Sequence, residues 1–228
     1  VIQLAGQLGD LNLVEEFGLD PNFNDALDTT SRLAIAVGIE ALKDAGVPLV
    51  RRYRTTSTGK KLADGWALPT EVGNRTGVIF ASAFPGLNRI IEDVSQHVAS
   101  KYAAQSEESL RGLVDSLAAA MSHDEATKIR AHFEEHLGSL REEAELYAFN
   151  RKFLFRALAM GHAQLAQVIG ARGPNTQVNA ACASGAQAIA IGSDWIEQGR
   201  CDRVIVVTAD DVTHPSSLPW IGTGFLAA

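Results

Sequence analysis

The sequence predicts an α/β protein with a parallel-rich sheet and helices buried against it. The first observation is the order strand, helix, strand within residues 176–210, which is typical of a βαβ unit with two parallel strands. The second is the apolar run "RTGVIFASA" at residues 75–83, bounded by turn residues and typical of a buried strand. The third is a helix whose residues 33–39 are almost all apolar or small, which indicates burial on most of its sides.

This first helix is predicted to begin near Asp28 and to end before Gly46. Asp28, Thr29 and Thr30 are residue types that cap helix N-termini, because their side-chain oxygens accept hydrogen bonds from unpaired N–H groups. Gly46 suits the position after a helix end, and Pro48 prevents the helix from continuing. The segment therefore predicts a capped helix, preceded by residues 1–28, which are mostly loop.

Residues 51–74, "RRYRTTSTGKKLADGWALPTEVGN", are basic, polar and irregular, and we predict a surface loop there. From about residue 92 to residue 150 the chain is rich in Ala, Glu, Arg and His, and it shows no strand signal. Ser122 and Glu125 form a capping-box pattern at the start of one helix in this segment. Residues 92–150 are therefore predicted to be a helical insertion in an α/β core.

The βαβ unit places a cysteine at the junction of a strand and a helix. The strand is predicted at residues 176–181, the helix at 182–199 and the second strand at 201–210. Cys182 opens the helix, in the stretch "NAACASG". A helix N-terminus carries a partial positive charge, so a thiolate there is stabilised and the thiol pKa falls.

Three features of this junction suit a nucleophile that accepts an acyl group. A strand-to-helix turn directs its side chain outward, as in the nucleophile elbow of hydrolases. The small residues that follow Cys182 let a ligand approach, and the backbone N–H of a nucleophile can form half of an oxyanion hole. The alternative is a buried structural cysteine. Cys201 lies after a helix C-terminus, where the dipole raises a thiol pKa, and we expect it to be structural.

Length and composition argue against several classes of protein. The chain has 228 residues and a net charge of −7, which predicts one domain with an insertion and argues against nucleic-acid binding through a basic surface. Two cysteines are too few for a disulfide framework, so we expect a reducing, cytoplasmic location. No apolar run reaches about 18 residues, and no signal peptide opens the chain, so we expect no membrane association. The chain starts at Val1 and ends on "GTGFLAA", and we expect it to be part of a longer polypeptide.

Three segments together resemble the β-ketoacyl synthases, the condensing enzymes of fatty-acid and polyketide synthesis. Residues 173–211 carry a Gly-Pro before a strand, Ala-Cys-Ala at a helix start, and a following strand that ends in "TADD". Residues 27–46, "LDTTSRLAIAVGIEALKDAG", resemble the early helix of the family, and residues 75–87 resemble the strand and turn that follow it. The resemblance covers about residues 10–91 and 150–228.

This resemblance implies the first half of a thiolase-like fold, with residues 1–228 as the N-terminal part of a ketosynthase domain and residues 92–150 inserted in it. It maps the family's nucleophile onto Cys182. It places the other catalytic residues, two histidines and usually a lysine, beyond residue 228. It also makes Phe225, in "GTGFLAA", a candidate residue of the acyl pocket, although a core phenylalanine explains it equally well.

The implied reaction is a decarboxylative Claisen condensation. Cys182 takes an acyl group from a thioester on an acyl carrier protein or CoA, and a malonyl-type extender then loses CO₂ and attacks the acyl-enzyme. No metal or organic cofactor is expected, because the phosphopantetheine arm belongs to the partner. The family also implies a homodimer, with the strand before Cys182 near the two-fold axis. Acyl chain length and extender unit are not implied.

Three alternatives remain open at this point. A thiolase also carries a similar active-site segment, although "TADD" at residues 208–211 lacks the typical thiolase ending. The pattern "HFEEH" presents His132 and His136 one turn apart, as in inverted zinc proteases, or it is an ordinary solvated helix face. The basic residues of the predicted loop suit a docking surface for acidic carrier proteins, or they are solvated; they are Arg51, Arg52, Arg54, Lys60 and Lys61.

Two further sites, the pair Asp210 and Asp211 and the single residue His162, carry separate predictions. Asp210 and Asp211 follow a strand end, where functional residues are common in α/β folds, but helix caps or turn hydrogen bonds explain them equally well. His162 has apolar neighbours on a helix and is interpreted as structural.

Overall fold

The structure is a computed structural model, which describes residues 9, 11–143, 153–154, 158 and 160–227, without the side chains of residues 139–143, 223 and 225–227. It divides into two compact units. Unit 1 comprises Val1–Ile90 and Lys152–Ala228, and unit 2 comprises Ile91–Arg151. The helical segment predicted at residues 92–150 thus falls within unit 2, while its role as an insertion in a larger domain stays a prediction.

Unit 1 is built on a parallel sheet, as the sequence predicts. Strand β3 (Thr76–Ala81) lies in the centre, between β4 (Asn175–Val178) and β5 (Arg203–Thr208), and pairs in parallel with both. Ala81 is the last residue of β3, and its register partners are Val178 of β4 and Thr208 of β5. The α/β class is confirmed, and the three carboxyl ends lie at one edge of the sheet.

Both faces of β3 are covered because its side chains alternate between two apolar clusters. Val78 and Phe80 belong to the larger cluster, and Ile79 and Ala81 to the smaller one. Every residue of β3 is buried. A strand buried on both faces is expected to be apolar at each position, which is why this segment lacks polar alternation.

Helices form the two outer layers of the sheet. Helices α3 (Thr29–Asp44) and α7 (Gly161–Ile169) pack on the face that Val78 and Phe80 share, and α8 (Ser184–Glu197) packs on the opposite face. Unit 1 also contains α1 (Leu13–Phe17), α2 (Pro21–Ala26), α4 (Thr70–Asn74) and α9 (Leu218–Ala227).

The predicted caps of α3 are confirmed. Asp28 is the N-cap residue and accepts hydrogen bonds from the Ser31 backbone N at 2.9 Å and the Ser31 Oγ at 2.7 Å. Gly46 lies just past the helix end with a φ of 65°, a left-handed conformation that glycine adopts without steric penalty. Half of its 16 residues are buried, but Val37 is 46% exposed and Glu40 and Ala41 are exposed, so the helix keeps one solvent-facing side and is less enclosed than its composition predicts.

The prediction of a loop over residues 51–74 is wrong for most of its length. The segment forms an antiparallel hairpin of β1 (Val50–Thr55) and β2 (Lys61–Ala67), followed by α4. Gly59, with a φ of 80°, lies in the connecting turn. A register shift between Arg51 and Tyr53 interrupts the alternation, β1 is mostly exposed and β2 is only partly buried, so the usual period of apolar residues is absent.

Helix α7 lies unusually close to the sheet at its start. A Cβ on Gly161 would stand 2.4 Å from the Cδ1 of Phe80, so only glycine fits there without displacement of the buried ring. The helix ends at Gly170, which has a φ of 71°. Among the described residues, no helix combines the length and apolarity needed to cross a membrane.

Unit 2 contains α6 (His123–Glu143) and most of α5 (Leu87–Ala119). The two helices run antiparallel, because Arg111 pairs with Glu134 whereas Asp115, further along α5, pairs with Arg130, earlier in α6. The ion pairs are exposed, so each adds little to stability.

The capping box predicted at the start of α6 is confirmed. The Glu125 carboxylate accepts hydrogen bonds from the Ser122 Oγ at 2.6 Å and the Ser122 backbone N at 3.1 Å. These two bonds favour the charged carboxylate and lower the pKa of Glu125. The helix therefore begins where the sequence pattern places it.

Candidate active site

Cys182 lies between the end of β4 and the first residue of α8, as predicted. Its side chain is exposed. The predicted strand and helix are both shorter than expected, because β4 ends at Val178 and α8 begins at Ser184. The five residues between them form the turn that carries the cysteine, and Cys182 stands near the helix N-terminus rather than within the first helical turn.

A tight turn presents the thiol. Ala181, directly before Cys182, has a φ of 49°, a left-handed conformation that alanine rarely adopts. Two backbone hydrogen bonds close the turn, from the Ala183 N to the Ala180 O at 3.0 Å and from the Ser184 N to the Ala181 O at 3.1 Å. The strained residue is therefore held by the bonds on either side of it.

The side chain of Ser184 adds a second pair of bonds to this turn. Its Oγ donates to the Ala181 O at 2.6 Å and accepts from the Ala180 N at 2.8 Å. Ser184 is buried, so water does not substitute for these bonds. The hydroxyl thus fixes the backbone on the strand side of Cys182.

The small residues of α8 let the helix pack closely against the sheet. A Cβ on Gly185 would stand 3.2 Å from the Thr208 Cγ2, and one on Gly192 would stand 3.4 Å from the Val204 Cγ1. The helix therefore lies close to β5 along much of its length. These glycines therefore serve helix–sheet packing.

Asp210, two residues after β5, connects the end of β5 to the end of β3 by hydrogen bonds. Its Oδ1 accepts from the Ser82 Oγ at 2.7 Å and from the Phe84 N at 2.8 Å, and its Oδ2 accepts from the Ala83 N at 3.1 Å. The Ala83 carbonyl in turn accepts from the Asn179 Nδ2 at 3.0 Å. Three segments distant in sequence thus meet beside the cysteine.

A cavity of about 430 Å³ opens at this edge of the sheet. This volume lies within the usual range of about 300–1,000 Å³ for small-molecule sites. Cys182 and Asp210 both contribute to its wall. The other residues of the wall are mostly small or apolar: Ala81, Ala83, Phe84, Ala181, Ser184, Gly185, Thr208 and Val212.

Two cysteines in the chain have contrasting environments. Cys182 is exposed in the cavity, whereas Cys201 is 1% exposed and packs in the smaller apolar cluster with Trp195 and Val178. Cys201 thus has the burial expected of a structural cysteine. Phe225 lies in α9 by its backbone, but its side chain is outside the described residues, so its place in an acyl pocket stays a prediction.

The two histidines of "HFEEH" lie together on α6. The ring centroids of His132 and His136 are 4.6 Å apart, as expected one turn apart on a helix. Within the part of the chain that the structure describes, no group of three or more metal-ligating side chains occurs. No third ligand for a zinc site is therefore identified among those residues.

The predicted basic docking residues lie on the hairpin rather than on a loop. Arg54 pairs with Asp20 at 3.0 Å and Arg52 with Asp64 at 3.5 Å, while Arg51 stacks over Trp66. The two carboxylates offset part of the positive charge presented to a partner, whereas the contact with the neutral Trp66 ring leaves the charge of Arg51 in place.

The chain was compared with models of known protein families. The family model described as "Beta-ketoacyl synthase, N-terminal domain" matches residues 100–222, which is more than half of the chain. The matched range includes the Cys182 turn and Asp210. The resemblance seen at residues 10–91 lies outside this range and stays a prediction. A comparison with curated proteins found no match.

Proposed function

The chain belongs to the β-ketoacyl synthase N-terminal domain family, and from this premise we propose that it carries out decarboxylative Claisen condensation with Cys182 as the nucleophile. The family is one of acyl-transferring condensing enzymes of fatty-acid or polyketide biosynthesis, and the parallel sheet with its covering helices is consistent with a thiolase-like fold. The observation that carries the proposal is the exposed thiol of Cys182 on a fixed strand–helix turn, in a cavity of about 430 Å³.

In the first proposed step, the Cys182 thiolate attacks the carbonyl carbon of an acyl thioester. The bond from that carbon to the pantetheine sulfur breaks, and the pantetheine leaves as a thiol after it takes up a proton. The acyl group is then held by Cys182 as a new thioester. The largely apolar wall of the cavity suits an acyl chain, because it removes apolar surface from water.

In the second step, a malonyl-type extender loses CO₂, and the electron pair of the broken C–C bond forms a carbanion at its α-carbon. The carbanion attacks the acyl carbonyl on Cys182, the carbon–sulfur bond breaks, and the thiolate of Cys182 is restored. The product is a β-ketoacyl thioester on the carrier. The histidines that assist this step in the family have no assigned counterparts among the residues of this chain.

The proposed partners follow from the same chemistry. An acyl carrier protein or CoA supplies the acyl group on a phosphopantetheine arm, so the enzyme itself uses no metal or organic cofactor. We also propose a homodimer with β4 near the two-fold axis. In its support, β4 is one of the two outer strands of the described three-stranded sheet, and the edge of an outer strand can pair with a second copy.

Peptide mass spectrometry after incubation with acyl-pantetheine thioesters tests the first step. We expect a mass increase equal to the acyl group on the Cys182 peptide, absent in Cys182→Ala and present in Cys201→Ala, the matched control. Adducts on neither cysteine, with Cys182 still alkylated by iodoacetamide, would contradict acyl transfer.

The extender distinguishes the proposal from the thiolase alternative. Once Cys182 is acylated, malonyl thioester should release CO₂ and discharge the acyl group, whereas acetyl thioester should not. Discharge by acetyl thioester without CO₂ release would favour a thiolase. The family match is to the ketosynthase model, which is why the decarboxylative reaction is placed first.

A further inference from the structure

We infer that Asp210 is a positioning residue for Cys182, which acts by fixing the backbone that holds the nucleophile. The inference rests on the proposed function for its catalytic consequence, but its structural basis is the set of hydrogen bonds at the cavity. Among the described residues, the carboxylate forms hydrogen bonds with Ser82, Ala83 and Phe84 and none with the Cys182 thiol. Its effect passes through the segment after β3.

The first part of the path runs from Asp210 to the residues after β3. The carboxylate accepts three hydrogen bonds of 2.7–3.1 Å from Ser82, Ala83 and Phe84, two of them from backbone N–H groups. Ser82 is fully buried, so its hydroxyl has few alternatives to this acceptor. A carboxylate suits this position because both of its oxygens accept and neither donates.

The second part of the path runs from Ala83 to the turn. The carbonyl of Ala83 accepts from the Asn179 Nδ2 at 3.0 Å, and the Asn179 Oδ1 accepts from the Ala181 N at 3.2 Å. Ala181 is the left-handed residue directly before Cys182. Asn179 therefore bonds at one end to the segment that Asp210 holds and at the other to the backbone of the nucleophile turn.

The fold explains why side chains such as Asp210 and Asn179 form these hydrogen bonds here. The loops after β3, β4 and β5 leave the same edge of the sheet, and the sheet hydrogen bonds end there. Asp210 and Asn179 continue the lateral connection between the strands by side-chain bonds. Loss of this connection would allow the Cys182 turn and the opposite wall of the cavity to move independently.

The test uses Asp210→Ala and Asp210→Asn, with Asp211→Ala as the matched control. Acylation of Cys182 is followed by mass spectrometry against acyl-CoA concentration, and unfolding by urea is measured in parallel. We expect Asp210→Ala to lower the maximum acylation rate at least about tenfold, with a half-saturating concentration within about twofold of the unaltered protein, because misplacement of a reacting group slows chemistry more than binding. Asp210→Asn should be intermediate, since its amide retains one acceptor oxygen, and Asp211→Ala should match the unaltered protein.

An unchanged maximum rate in Asp210→Ala would overturn the inference, as would an equal loss in Asp211→Ala. If Asp210→Ala does not fold, Asn179→Ala breaks the same path and takes its place.

Alkylation of Cys182 by iodoacetamide over a pH series separates this inference from the proposed function, because it needs no acyl transfer. If the unaltered protein is alkylated but never acylated, the proposed function fails. The positioning inference then stands only if the Asp210 variant changes the alkylation rate by at least about threefold across that series.

Discussion

Removal of the Ser184 hydroxyl should loosen the turn that presents Cys182. The Oγ of Ser184 makes two hydrogen bonds, to Ala181 and from Ala180, in a buried position. A net contribution of about 0.5–1.5 kcal/mol for each gives a loss of about 1–3 kcal/mol in the free energy of unfolding for Ser184→Ala. That range is comparable to the roughly 1–2 kcal/mol by which a left-handed conformation disfavours Ala181. The two hydrogen bonds of Ser184 therefore nearly offset the strain at Ala181.

Urea unfolding followed by circular dichroism measures this loss. Ser193→Ala is the matched control, because Ser193 lies on the same helix but is exposed, with a bond to Glu197 at 3.2 Å. We expect its free energy of unfolding to change by no more than about 0.5 kcal/mol. A Ser184→Ala protein that unfolds at the same urea concentration as Ser193→Ala would refute the reasoning, since it would show that the hydroxyl does not hold the turn.

The remaining predictions concern packing and pH. Gly161→Ala should lower the free energy of unfolding by about 1–3 kcal/mol, because its Cβ would meet the ring of Phe80 at 2.4 Å. Gly112→Ala, in open space within α5, should raise it by about 0.5–1 kcal/mol, and thermal unfolding of both variants checks the opposite signs. The pKa of Glu125 is lower in the folded protein, so its bonds from Ser122 stabilise α6 fully above the unfolded pKa of about 4.3, and this stabilisation is lost as the pH falls through the folded value. Amide exchange in the first turn of α6 should accelerate over that range and should not do so in Glu125→Gln; equal acceleration in both would contradict the assignment.

The elements that could be predicted from the sequence carry local signals. The N-cap of α3, the capping box at Ser122 and the strand–turn–helix around Cys182 each depend on residues within a few positions of one another. The β1–β2 hairpin was missed because β1 is exposed and basic, β2 lacks a strict alternation of apolar and polar residues, and a register shift interrupts their pairing.

The wall of the site could not be predicted in the same way. Asp210 bonds to residues that lie 126–128 positions earlier, and two adjacent aspartates after a strand give no sign of which one turns inward. The sheet order β4-β3-β5 is likewise non-local. Only the three-dimensional arrangement distinguishes Asp210 from Asp211.

The position of the helical unit between β3 and β4 has a consequence for how the protein folds. Val78 pairs with Asn175, nearly a hundred residues later in the chain, and most of that separation is unit 2. Contacts so distant in sequence form slowly, whereas an antiparallel helix pair forms from residues closer in sequence. Early formation of α5 and α6 would therefore shorten the effective loop that has to be closed before β3 meets β4. On a newly made chain, the cavity around Cys182 forms only when β3 joins the later strands, because its wall combines Ala81 of β3, Thr208 of β5 and the turn that follows β4.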